Sequence, residues 1–137
     1  MFFVTIKSGK FFKTIDDNLP YDTILNLKES INLRHGIPIH LQRLLYKGVL
    51  LNDIKKISEY EIQSYDVVDL DLHLLEINFL KNDTYNLKWY VENGVTIAEL
   101  QKRIFNMHYG IIIEKDSNYV LKDGDTIIIV YNIIPPF

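Results

Sequence analysis

The chain has no cysteine among its 137 residues. Disulfides, thiolate metal sites, a cysteine nucleophile and acyl carriage on a thiol are therefore excluded for this chain. Glycine is scarce and scattered: the six residues, at 9, 36, 48, 94, 110 and 124, are all isolated. Neither a P-loop nor a dinucleotide fingerprint assembles from glycines so placed. An excess of one charge is also missing. Fifteen basic residues face eighteen acidic ones, a net of −3, which gives no electrostatic ground for nucleic acid or an anionic membrane as partner. No run of about 18 apolar residues occurs, so no spanning helix is expected. The opening MFFVTIKSGK has no basic segment ahead of a long apolar run and does not read as a secretory signal. The expected setting is cytoplasmic.

What is present is an ordinary globular composition, 47% hydrophobic, with length for one average domain or two small ones. A repeat is visible. Thr23-Ile24-x-x-Leu27-x-x-x-Ile31 recurs as Thr96-Ile97-x-x-Leu100-x-x-x-Ile104, each position 73 residues on. Apolar residues three and then four apart share one face of a helix, so the spacing predicts two amphipathic helices. Each run opens on a threonine suited to N-capping, and Glu99 completes a capping box with Thr96. Gly36 and Pro38 close the first helix; the second is expected to end near Asn106.

Strands are predicted on both sides of each helix. Phe2-Val4-Ile6 alternates, turns at Ser8-Gly9 and continues from Phe11 to Ile15. Ile77 to Leu80, a turn at Asn82-Asp83 and Tyr85 to Val91 repeat that hairpin. Further runs follow the helices: Leu44 to Tyr46 and Leu70-Leu72-Leu74, then Tyr109 to Ile113 and Thr126 to Ile133. Hairpin, helix and further strands, twice over, make an α+β chain of two tandem β-grasp units. The predicted domains are 1–75 and 76–137, joined near Leu75-Glu76 without a Gly, Pro or Ser spacer. The second is smaller. Ile31 to Asp66 is 35 residues, whereas Ile104 to the matching Asp125 is 21.

Residues 1 to about 75 resemble ubiquitin. The motifs are Asp22-Thr23-Ile24, Lys28, Gly36-Ile37-Pro38, Gln42-Arg43-Leu44, Tyr46-x-Gly48, Leu51-x-Asp53 and Ser58-x-Tyr60-x-Ile62-Gln63. Residues 76–137 resemble, more faintly, the small β-grasp sulfur carriers of thiamin and molybdopterin synthesis, through the Thr-Ile-x-x-Leu helix and Lys122-Asp123-Gly124-Asp125-Thr126-Ile127. A tandem of this kind is similar to two-domain ubiquitin-like modifiers. The resemblance implies a tail ending Gly-Gly for conjugation or sulfur carriage. Here the last residues are Pro135, Pro136 and Phe137, and no Gly-Gly pair exists, so conjugation through the C-terminus is not expected.

The family's other activity is to be recognised through a surface patch. Its positions fall here on Lys7, Leu45, Asp69 and Asp71. Alternation puts Leu70 and Leu72 inward and Asp69 and Asp71 outward. Two carboxylates penalise a purely apolar partner by desolvation, so the expected partner has a basic or mixed surface. Val49 and Ser64 stand where ubiquitin has its two best-known chain-linking lysines. Arg43 is expected to pair weakly with Asp69 or Asp71. One ring of Trp89-Tyr90 is expected at the surface, with Trp89 offered as an interface anchor. The apolar Ile133-Ile134-Pro135-Pro136-Phe137 offers Phe137 as another.

Other groups read as structure rather than chemistry. His35 and His40 lack metal-ligand spacing and are expected in an exposed loop. Asp16-Asp17 reads as a solvated loop, and Asp123-Gly124-Asp125 as a tight turn rather than a calcium loop. No catalytic residue, metal site or cofactor is expected. The prediction is a non-enzymatic tandem protein-interaction module that is not conjugated through a Gly-Gly end. The alternatives are a divergent two-domain modifier with unusual processing and a structural subunit of a larger assembly.

Overall fold

The computed structural model describes residues 1–81, 85–108, 110–112 and 116–131. They fall into two compact units, Met1–Leu74 and Leu75–Phe137. Among the described residues no helix is long and apolar enough to cross a membrane.

In the first unit, β1 (Val4–Ser8) and β2 (Phe11–Ile15) form a hairpin with Ser8 opposite Phe11. That leaves a two-residue connection, Gly9-Lys10, and Gly9 takes a positive φ of 56° that a tight hairpin turn favours. Helix α1 (Ile24–His35) follows. Asn26 N donates to Thr23 Oγ1 over 3.1 Å and Thr23 N donates to Asn26 Oδ1 over 3.0 Å, so Asn26 fills the capping-box place usually held by Glu or Gln. Gly36, left-handed at φ 71°, closes the helix by donating its N–H to Asn32 O. Strands β3 (Leu44–Tyr46), β4 (Val49–Leu50) and β5 (Val67–Leu70) complete a sheet of order β2-β1-β5-β3-β4.

β1 and β5 run parallel; the other pairs with assigned register are antiparallel. One helix across a mixed five-stranded sheet is the β-grasp arrangement. Ile24, Leu27 and Ile31 of the helix, with Val4, Ile6, Phe11, Ile15, Leu44 and Val68 of the sheet, are buried. Each such side chain contributes roughly 1.5–3 kcal/mol by leaving water. Lys28 is buried with them along its stem, and its ammonium reaches Asp53 at 2.7 Å.

The second unit contains β6 (Leu74–Lys81), β7 (Tyr85–Glu92), α2 (Ile97–His108), β8 (Gly110–Ile112) and β9 (Thr126–Tyr131), in the sheet order β7-β6-β9-β8. β6 pairs with β9 in parallel, and β8 with β9 antiparallel. Leu75, Ile77, Phe79, Trp89, Val91, Val95, Ile97, Leu100, Ile104, Leu121 and Ile127 form its core. The expected turn at Asn82-Asp83 lies outside the described residues. Helix α2 runs two residues beyond the expected Asn106. Thr96 Oγ1 accepts from Glu99 N at 3.2 Å.

The two units repeat one backbone hydrogen-bond scheme. Thr5 N donates to Asp66 O, and Asn78 N to Asp125 O; Ile24 N donates to Lys55 O, and Ile97 N to Tyr119 O. Lone bridges join Thr23 to Lys56 and Thr96 to Val120. The turn carboxylates also match: Asp66 accepts from Gln63 N and the Tyr46 hydroxyl, and Asp125 from Lys122 N and the Tyr119 hydroxyl. From Thr5 through Ile24 the counterparts lie 73 residues apart, while Asp66 and Asp125 lie 59 apart. All fourteen missing residues therefore come from the path between helix and last strand.

Two expectations need correction. Trp89 is the inward ring, only 8% exposed and 5.8 Å from Phe79 between centroids. β7 pairs its Trp89 and Val91 with the core, which leaves the half-buried Tyr90 on the outer side; Trp89 is a core residue and no surface anchor. His35 is the last residue of α1 rather than part of an exposed loop, because the helix continues up to Gly36. His40 is exposed as expected. Phe137 lies outside the described residues.

Candidate interaction face

The outer face of the first sheet follows from alternation in β5: Val68 and Leu70 are buried, while Val67 and Asp69 are exposed. Register then assembles the neighbours of Asp69. Lys7 of β1 lies beside it on one side and Leu45 of β3 on the other, and directly paired residues share a face. Lys7 is exposed and Leu45 half-buried. Asp71, just past the strand, donates its N–H to Arg43 O at 2.8 Å, and its carboxylate lies 3.4 Å from Arg43 Nε. Both partners are well exposed, so this pair contributes well under about 1 kcal/mol.

These residues surround an open concavity of about 500 Å³ whose lining includes Lys7, Ser8, Leu45, Asp69, Asp71 and His73. The Ser8 hydroxyl donates to Leu72 O and ties the first hairpin to the segment after β5. Three of the proposed contacts, Leu45, Asp69 and Asp71, therefore meet in one groove. Arg43 stands at its edge through Asp71. Trp89 belongs to the second unit's core.

Register adds two residues that alternation alone did not single out. Phe12 pairs with Lys7 and is 58% exposed; Leu50 pairs with Leu45 and is 51% exposed. The hairpin count was the available signal for Phe12, since a two-residue turn at Gly9-Lys10 forces it opposite Lys7. For Leu50 the signal was the short Lys47-Gly48 turn. The arrangement offers aliphatic surface flanked by both signs of charge. It suits protein contact.

Away from the groove, charges serve the fold. Arg34 Nε and Nη2 reach Asp17 at 2.6 Å each, and Nη2 reaches Asp16 at 2.7 Å. The guanidinium's hydrogen bond holds the Asp17 carboxyl below the usual range. Tyr46 does the same to Asp66 through its hydroxyl.

The model of the ubiquitin family matches residues 3–75, more than half of the chain. The chain belongs to the ubiquitin family. Among its relatives, the ubiquitin domain-containing protein DSK2 of Saccharomyces cerevisiae is 43% identical over 67 residues, 49% of this chain and 18% of that protein. The ubiquitin-like protein NEDD8 of Dictyostelium discoideum is 40% identical over 55 residues, 40% of this chain and 71% of that protein. The match thus spans less than a fifth of DSK2. A ubiquitin-like domain with a groove of this kind is consistent with a protein-interaction module.

Proposed function

We propose that the ubiquitin-like unit is a non-enzymatic docking module, built into its chain rather than released as a modifier, that works in the cytoplasm. The carrying observation is the groove in which Leu45 is flanked by Asp69, Asp71, Lys7 and Arg43. An apolar centre with charged flanks favours a partner whose surface is basic or mixed, because such a partner offsets the desolvation of the two carboxylates. The junction supports the non-conjugated reading: the chain passes through Asp71-Leu72-His73 into β6 with no Gly-Gly pair. The second unit reads as a shorter β-grasp domain. Its matching strand order and the shared hydrogen-bond scheme support that reading.

The test uses the tagged chain in its native cell, beside a variant with Asp69→Lys and Asp71→Lys. Partners captured under native conditions are expected to fall at least tenfold with the variant. A denaturing gel is expected to show no heavier, denaturant-resistant bands. Unchanged capture by the charge-reversed variant sinks the docking face, and a ladder of covalent adducts sinks the non-conjugated reading.

A further inference from the structure

Eleven asparagines occur in the chain, and Asn93 alone precedes a glycine. The pair lies between β7 and α2, directly after Glu92 and ahead of the helix-capping Thr96. Both residues are exposed. Gly94 takes a φ of 92°, a conformation strained for any residue with a side chain, so the turn itself calls for glycine. Among the described residues, nothing outside its immediate neighbours lies within 4 Å of the place a Cβ on Gly94 would take.

Hydrogen bonding sets this asparagine apart. Asn26 Oδ1 accepts from Thr23 N at 3.0 Å, Asn32 Nδ2 donates to Ile37 O at 3.0 Å, and Asn52 Oδ1 accepts from Ile54 N at 3.1 Å. Among the described residues, neither the Asn93 side chain nor the Gly94 N–H makes a hydrogen bond. The turn at Asp123-Gly124 is the instructive contrast. Its glycine has a similar φ of 86°, yet both groups are tied: Asp123 Oδ1 accepts from Glu76 N, and Gly124 N donates to Glu76 O, each at 2.8 Å.

We propose that Asn93 is a self-modifying site, at which the backbone nitrogen of Gly94 displaces ammonia from the side-chain amide. The Gly94 nitrogen loses its proton to hydroxide and attacks Asn93 Cγ. The N–Cγ bond forms, the Cγ–Nδ2 bond breaks, and ammonia leaves after taking a proton from water. The cyclic imide that results is opened by one water at either carbonyl, giving aspartate or isoaspartate at this position. Nothing is oxidised or reduced: an amide and water become a carboxylate and ammonium.

Glycine permits the attack because no side chain crowds the nitrogen. The geometry that the turn requires therefore keeps the reactive pair in place. The new carboxylate follows Glu92, whose oxygens already take Arg103 Nη1 and Nη2 at 2.6 and 2.7 Å, while Arg103 Nε lies 3.5 Å from Glu99. One guanidinium there already serves two carboxylates. The isoaspartate form also adds a backbone methylene ahead of the Thr96 cap, and it is a substrate for methyltransferases that esterify isoaspartyl carboxylates.

The test holds the full chain at neutral pH and body temperature for days and maps its peptides by mass spectrometry. A gain of about 1 Da is expected at Asn93, before any other asparagine reacts. An exposed turn without hydrogen bonds needs no opening before the attack, so the folded chain is expected to react within about tenfold of the rate of a synthetic peptide of residues 89–98. An isoaspartyl methyltransferase supplied with labelled S-adenosylmethionine is expected to mark this turn and to leave Asp123-Gly124 unmarked. Asn93→Gln, a mild change at an exposed site, is expected to abolish both the mass gain and the label. A folded chain slower than that tenfold margin, earlier reaction at another asparagine, or label at Asp123-Gly124 overturns the proposal.

Discussion

The His35 ring meets Phe11 edge-on, with centroids 5.3 Å apart and planes at 90°. Phe11 is fully buried, so the contact carries the end of α1 onto the hairpin. Its Nε2 is buried with no hydrogen-bond partner among the described residues. Burial pushes the imidazole pKa down to about 4, with Lys13 and Arg34 adding repulsion and Asp17 opposing them.

That shift has a sign. The folded state holds the ring neutral while the unfolded chain takes up a proton near its ordinary value of 6.5, so acid favours unfolding. The stabilising difference is complete above about pH 6.5 and is lost progressively toward pH 4. Asp17 and Asp66, both held low, lose their contributions only as the pH falls further, below the ordinary carboxylate value of 3.8. Urea midpoints measured between pH 7.5 and 4.5 are expected to fall for the native chain and to stay nearly flat for His35→Leu. An equal fall in both assigns the acid sensitivity elsewhere.

The Thr23 hydroxyl supplies one half of the capping box at the start of α1 and Asn26 the other, with no acidic residue in the first turn to assist. Thr23→Ala is expected to cost about 1 kcal/mol in denaturant unfolding, and Thr23→Ser to keep most of that stability. A loss shared equally by both variants points to the methyl group's packing instead.

Glu61 sits left-handed, at φ 59°, where a short helical turn ends, and its N–H donates to Ser58 O. Its side chain is exposed. A non-glycine residue in this conformation costs roughly 1 kcal/mol, and asparagine tolerates it better. Glu61→Asn is expected to raise the stability by about 0.5 kcal/mol. A lowered denaturation midpoint means that the carboxylate makes a contribution larger than the backbone relief.

The helices and hairpins were legible because their signals are local. Threonine caps, the three-and-four apolar spacing and Gly36 each act within a turn or two, and the structure places α1 and α2 on them. The outward carboxylate of β5, Asp69, was legible for the same reason, since alternation is a two-residue rule. What escaped depends on partners distant in sequence. Alternation says that one of Trp89 and Tyr90 points in; the core around Phe79 decides that it is Trp89. Arg34 lies 17 and 18 residues from the aspartates it clamps, and no spacing rule reaches that far. Placing Phe12 and Leu50 beside the groove needed the register of four strand pairs at once.

The unequal paths from helix to last strand make the two units natural donors for each other. Their first halves keep one register, 73 residues apart, and only the return arm differs in length. Segments exchanged after α1 and after α2 keep each helix with its N-cap and hairpin, and ask the receiving return arm only to fit the incoming helix. The return arm is thus the part of this architecture that can be lengthened, shortened or grafted, while the hairpin and helix form its fixed chassis.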